Sequence, residues 1–267
     1  MKFLTKLGII LFLLTNSCYA QVSASYWSVK KSQHFIVYFQ AASPTYVDEL
    51  INKAEEYYNS IVAELGFTRF DDFWTWDKRC KIYLYPSAKE YQRATGRPSW
   101  SGGSANIIER RIDTFPYEKD FMQTVLPHEM GHLVFREFIG YRTPLPLWLD
   151  EGIASFQEQS SRDERIIIVQ GLVASGLFIP LDRLTMIEAN NLMMPNVFYG
   201  ESVSVIDFLL KKYGREKFVG FCRELRDSKE WKLSLGKVYG FKNIADMNSE
   251  WVKYLLADSD LKAFHDR

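Results

Sequence analysis

The sequence predicts an α+β fold in which a mixed first half leads into a mostly helical second half. Two observations carry this. Strand-like segments at His34 to Phe39 and Cys80 to Tyr85 fall in the first hundred residues, whereas apolar residues recur with period 3.6 through most of the chain after Tyr117. With 267 residues, 47% hydrophobic and 15% aromatic, the chain can bury one sizeable core, which excludes a disordered or collagen-like protein.

The first twenty residues stand apart from that fold. Lys2 and Lys6 form a basic start, Leu7 to Leu14 is a short apolar run, and Cys18-Tyr19-Ala20 offers small residues at the positions a signal peptidase reads. The uncharged stretch from Leu7 to Ala20 falls short of the roughly 20 residues needed to span a bilayer. Residues 1–20 are therefore expected to be a signal peptide, Gln21 to begin the mature chain, and the protein to be periplasmic or secreted with no stable membrane span. An uncleaved anchor is the alternative. A lipoprotein is disfavoured by Thr15, which stands where a lipobox has an apolar residue. Cys80 and Cys222 would remain, either paired in an oxidising compartment or kept as two buried thiols.

Charge narrows the partners. The full chain carries 33 basic and 33 acidic residues; without Lys2 and Lys6 the count is 31 against 33, a net of −2. A nucleic-acid binder needs a basic stripe, and none is visible, so no nucleic-acid partner is expected.

His34 to Phe39 reads as a buried strand. Ser43 supplies an N-cap and Pro44 a first-turn proline for a helix carrying Val47, Leu50, Ile51, Ala54, Ile61 and Leu65, closed by Gly66. Cys80, Ile82 and Leu84 alternate with Lys81, Tyr83 and Tyr85 as a half-buried strand ended by Pro86. Ser99 to Phe115 reads as one further strand near the sheet edge. Helices are predicted over Asp120 to Gly140, Trp148 to Gln159, Val203 to Tyr213, Lys217 to Leu225 and Asn243 to Ala257. Pro144-Leu145-Pro146 and Met194-Pro195-Asn196 read as loops inside a single domain, 21–267.

Chemistry concentrates at His128-Glu129-Met130-Gly131-His132, an H-E-x-x-H motif. Residues four apart on a helix share a face, so His128 and His132 can reach one zinc ion, with Glu129 turned toward a water position. Pro127, just before the first histidine, should bend the helix or mark a break. A hydrolytic zinc site needs a third protein ligand and one open position. Of the four histidines, His34 begins an apolar strand and His265 lies in a polar tail, so neither is assigned to metal; Phe138 occupies the place of a metzincin's third histidine. The paired carboxylates Asp150 and Glu151 offer the ligand instead, or merely complement a helix N-terminus. Neither histidine is assigned a supporting carboxylate from the sequence.

Glu151 follows His132 after 18 intervening residues, within Trp148-Leu149-Asp150-Glu151-Gly152-Ile153-Ala154. Motif, spacing and segment together resemble the gluzincins of the peptidase MA superfamily, the aminopeptidase N family in particular, over Tyr117 to about Ala257. The resemblance implies a thermolysin-like fold with an α+β lobe (21–140), a helical lobe (141–267) and the active-site cleft between them. It also implies one zinc ion per chain held by His128, His132 and Glu151, with Glu129 activating a water. Phe198-Tyr199-Gly200-Glu201 resembles the segment that supplies an oxyanion-binding tyrosine, which implies that role for Tyr199.

Aminopeptidases of that family hold the substrate amino terminus with the glutamate of a G-x-M-E-N segment. Here Gly102-Gly103-Ser104-Ala105-Asn106 places Ala105 there. Glu109, four residues on in the presumed strand, would lie about 13 Å further along. The expected activity is therefore cleavage within a peptide or protein substrate. A non-catalytic zinc-binding module and a zinc hydrolase of non-peptide substrates are the alternative readings.

Overall fold

A five-stranded mixed sheet organises the first half of the chain. The computed structural model describes residues 26–67, 74–99, 101–116 and 120–257. The expected signal peptide, Tyr117 and His265 lie outside the described residues. The strands are β1 (Ser28–Lys31), β2 (Phe35–Phe39), β3 (Cys80–Leu84), β4 (Gly103–Asn106) and β5 (Arg111–Thr114), in the order β1-β2-β3-β5-β4. β2, β3 and β5 run parallel in the centre, and β1 and β4 are antiparallel edges.

Register sorts the side chains between faces. Val37, Ile82 and Ile112 lie in one row, fully buried with Phe35 and Leu84. α1 (Pro44–Glu64) joins this core, its Tyr58 ring edge-on to Phe35 at 6.5 Å. Its start follows the cap reading: the Ser43 hydroxyl accepts the Tyr46 N–H at 3.2 Å, and Pro44 opens the first turn. On the opposite face Tyr38 stacks on Tyr83 at 4.6 Å, with the Arg111 guanidinium 4.0 Å from the Tyr83 ring centroid.

Some boundaries differ from the sequence reading. Ser99 to Phe115 is two short strands, because the chain turns at residues 107–110, where Arg110 takes the left-handed φ of 47°. Glu109 therefore sits in that turn and not in the strand of Ala105. The helical pattern from Asp120 splits into a π-helical turn (Phe121–Val125) and α3 (Leu126–Ile139); Pro127, which has no N–H to donate, sits in the first turn of α3. The pattern from Trp148 to Gln159 ends earlier, as α4 (Leu147–Phe156), and a second helix, α5 (Gln159–Ala174), follows a break at Gln157 and Glu158. Met194-Pro195-Asn196 is no loop: Pro195 begins α7 (Pro195–Tyr213), at the position where proline loses nothing. The short helices α2 (Ala88–Thr95), α6 (Leu181–Leu184) and α9 (Trp231–Tyr239) and strand β1 join the predicted set. α8 (Arg215–Ser228) extends the pattern read there, and α10 (Ile244–Ala257) matches the one read from Asn243 to within a residue.

The helical half is layered on α4. A Cβ at Gly131 of α3 would lie 2.9 Å from the Ala154 Cα, and one at Gly152 of α4 would lie 2.6 Å from the Ser202 carbonyl oxygen of α7. Both distances are shorter than carbon tolerates, so glycine lets α4 lie against α3 on one side and α7 on the other. Cys80 and Cys222 are both fully buried free thiols, the second of the two alternatives.

α7 also buries a carboxyl. Glu201 is wholly inside; one oxygen accepts the Ile179 N–H at 2.8 Å, and the other has no hydrogen-bond partner among the described residues. Burial, weakly opposed by that bond, pushes the group from its ordinary 4.5 up to about 7. The folded state thus holds this proton more tightly than the unfolded chain. Its contribution is full below pH 4.5 and is lost as pH rises through about 7. Urea unfolding of wild type and Glu201→Gln at pH 5 and pH 8 checks this: wild type should lose on the order of 2 kcal/mol relative to the variant across that interval. Parallel pH dependence would place the ionised carboxylate in a solvated site.

Candidate metal centre

α3 presents His128 and His132 one turn apart toward the first turns of α4, where Asp150 and Glu151 project. His128 Nε2 lies 3.5 Å and His132 Nε2 3.8 Å from the same Glu151 oxygen, Oε2. One ligand atom from each of the three residues lies within 4.8 Å of the others. The imidazoles keep 18% and 11% of their exposure, so they are anchored in the protein yet open to the cleft. Two imidazoles and a carboxylate form a donor set of the catalytic zinc type.

The outer nitrogens are backed by acids. His128 Nδ1 donates to Glu158 Oε1 at 2.8 Å, since a carboxylate there can only accept. Glu158 is itself buried and held from three sides: Arg165 donates to both its oxygens at 3.2 and 2.7 Å, and the Ser161 hydroxyl donates at 3.1 Å. His132 Nδ1 lies 3.3 Å from Asp150 Oδ1, close enough for attraction but outside hydrogen-bond alignment. Asp150 receives a forked pair of bonds from Arg136, at 3.2 and 2.6 Å. It therefore supports His132, while its neighbour Glu151 faces the shared centre.

These carboxylates make the field at the centre negative. Burial opposes a proton on His128, but hydrogen bonds to Glu151 and Glu158 outweigh it and push the ring up to about 10. Burial opposes a proton on His132 too, but the adjacent negative charge of Asp150 outweighs it and raises the ring. Burial raises Glu158, yet His128 and Arg165 hold it below its ordinary value. Burial likewise fails to keep Asp150 up, because His132 and Arg136 depress it strongly. A centre that draws protons onto both imidazoles favours a cation, and the three inward-facing donor atoms fit a zinc ion.

The centre floors a cleft of about 440 Å³. Edge strand β4, through Gly103, Ser104 and Ala105, forms one wall; Glu129 and Tyr199 line it with the three candidate ligands. Tyr199, near the start of α7, packs edge-on against Phe198 with ring centroids 5.5 Å apart. Burial, reinforced by the charges of Glu151 and Glu158, pushes its hydroxyl up to about 12, so it keeps its proton at neutral pH. All five residues singled out in the sequence therefore meet at one cleft. His34 does not join them, being tied to Glu55 at 2.6 Å and stacked on Tyr58; His265 lies outside the described residues.

Asp150 and Glu158 as supports, with Arg136 and Arg165 behind them, were missed in the sequence. Asp150 was visible as half of the carboxylate pair. Glu158 is seven residues after Glu151, a same-face spacing on a continuous helix; its actual approach depends on the break between α4 and α5, which the periodicity had concealed.

A mixed sheet with a helical second half, arranged about a cleft that carries H-E-x-x-H and a downstream glutamate, defines a metallopeptidase-like protein. The family model of the Peptidase MA superfamily matches residues 74–257, and the chain belongs to that superfamily. The match takes in β3, α2, β4 and β5, well ahead of the segment whose resemblance was legible. No curated protein matches the chain significantly. Membership points to a peptidase acting on peptides, of a kind typically dependent on zinc. Among the described residues no helix is long and apolar enough to cross a membrane.

Removing a supporting charge should loosen the centre without unmaking it. Glu158→Gln and Asp150→Asn are each expected to weaken zinc binding by about 10–100-fold, read by competition with a chromophoric chelator. Wild-type affinity in both variants would show that the imidazoles need no such support.

Proposed function

We propose that this protein is an exported zinc metallopeptidase of the gluzincin type, related to the aminopeptidase N family, that cleaves peptides internally. The convergence of His128 Nε2, His132 Nε2 and Glu151 Oε2 beside Glu129 carries this reading. When bound there, Zn²⁺ would polarise the scissile carbonyl and acidify a water. Glu129 takes a proton from that water and returns it to the departing amine. Tyr199, protonated at neutral pH, donates to the carbonyl oxygen as negative charge develops on it.

Binding falls to the cleft wall. β4 pairs with β5 along one side only, so its other side offers main-chain groups to an extended peptide. Ala105 brings only a methyl group where aminopeptidases carry an amino-terminal anchor. A substrate ammonium near a divalent cation needs a fixed carboxylate to offset desolvation and repulsion. Glu109, in the turn beyond β4 and 3.5 Å from Arg111, is poorly placed to replace it. Export rests on the composition of residues 1–20, a signal peptide in this reading, with residues 21–267 as one domain.

Glu129→Gln should abolish turnover while zinc stays bound, because an amide accepts no proton. Tyr199→Phe should lower kcat by ~10²-fold. Peptides with free and acetylated amino termini should be cut at the same internal bond, as read by mass spectrometry. Substantial activity in Glu129→Gln would remove the proposed base. Stepwise shortening of the free peptide alone would show an aminopeptidase.

A further inference from the structure

The cleft carries a cation that none of these steps uses. Arg97 lines it together with Pro98, Ser101 and the residues of β4. The other guanidiniums close to the metal centre are neutralised: Arg136 by Asp150 and Arg165 by Glu158. Behind the cleft, Arg110 is matched by Glu137. Arg97 is exposed, and its guanidinium makes no ion pair among the described residues.

Its backbone is held in place. α2 ends at Thr95, whose hydroxyl donates to the Tyr91 carbonyl at 2.8 Å and accepts the Arg97 N–H at 3.3 Å. Pro98 disfavours a helical conformation at Arg97, and its carbonyl accepts the Ser101 N–H at 3.0 Å. The Ser101 hydroxyl bonds to Tyr91 Oη at 2.8 Å and donates to the Gly103 carbonyl at 2.9 Å. The segment carrying Arg97 is thus fastened to the first residue of β4, the strand on which a peptide would lie.

Charge decides what this cation meets. Glu129 and Glu151 line the same cleft, but a cation held between them would offset their charge, whereas no acid among the described residues offsets Arg97, so a carboxylate on the substrate is drawn toward Arg97. β4 has four residues and spans roughly 13 Å, which puts the attraction within a few residues of the bond to be cut. We propose that Arg97 reads a carboxylate of the peptide lying along β4, so that the cleft selects acidic substrates. This rests on the peptidase reading above. A guanidinium matches a carboxylate with two parallel N–H bonds, a geometry lysine cannot reproduce. Because Arg97 is exposed, solvent screens the pair and the selectivity should be modest.

Acetylated, amidated peptide libraries that differ only by Glu or Gln at each position are the probe, with wild type, Arg97→Ala, Arg97→Lys and Arg97→Glu. Wild type should favour Glu at one position by about fivefold in kcat/KM, expressed in KM. Arg97→Ala should bring that ratio close to one, Arg97→Lys should restore part of it, and Arg97→Glu should invert it. A Gln peptide with a free instead of an amidated carboxyl terminus separates a terminal carboxylate from a side-chain one. The same ratios are measured as equilibrium binding of labelled peptides to Glu129→Gln, with and without Arg97→Ala. If no peptide is cut but binding still depends on Arg97, the peptidase reading falls and the carboxylate reading stands. If peptides are cut and the Glu-to-Gln ratio is unmoved by Arg97→Ala, or if no peptide binds, the inference is overturned.

Discussion

Everything at the cleft depends on how closely α4 is held between α3 and α7. The third candidate ligand and the support for His132 are adjacent residues, Glu151 and Asp150, in the first turns of α4, so the centre exists only if that helix lies against α3. Gly131 removes the side chain that would meet Ala154, and Gly152 removes the one that would meet Ser202. Ordinary side chains there would force the helices apart by more than an interior packed at crystal density tolerates. One of these glycines lies inside the H-E-x-x-H motif and the other directly follows Glu151. The residues that allow the approach are thus interleaved with those that benefit from it.

Charge balance is the second layer. Three inward-facing donors, the buried Glu158 and the half-buried Asp150 would be costly if left uncompensated, and each of these two acids has its own guanidinium: Arg136 on Asp150 and Arg165 on Glu158. The pairs fix the acids' positions and leave the Nε2 edges facing the Glu151 oxygen. The same arithmetic makes Arg97 conspicuous, because among the described residues it lines the cleft without such a partner.

The fold and the site were legible to different depths. Local chemistry that acts within a few residues was readable: the Ser43-Pro44 cap, the alternation from Cys80 to Leu84, and the four-residue spacing of His128 and His132. What depends on breaks in regularity was not. The turn at Arg110 splits one apparent strand into β4 and β5, since a left-handed φ at a non-glycine residue leaves no compositional mark. The break at Gln157 divides one apparent helix and delivers Glu158 to His128, a contact across 30 residues that periodicity cannot foresee. Conversely, Pro195 looked like a loop residue because proline ends helices from within, although at a first turn it begins one.

Metal content decides most directly whether His128, His132 and Glu151 act as ligands. The decisive measurement is elemental analysis of protein purified without added metal, beside a His132→Ala variant whose folding is verified by circular dichroism. About one zinc per chain in the wild type and almost none in the variant is the expected result, as a three-ligand catalytic site requires. Equal zinc in the two proteins, or none in either after zinc is supplied, would contradict the assignment of these residues to a metal.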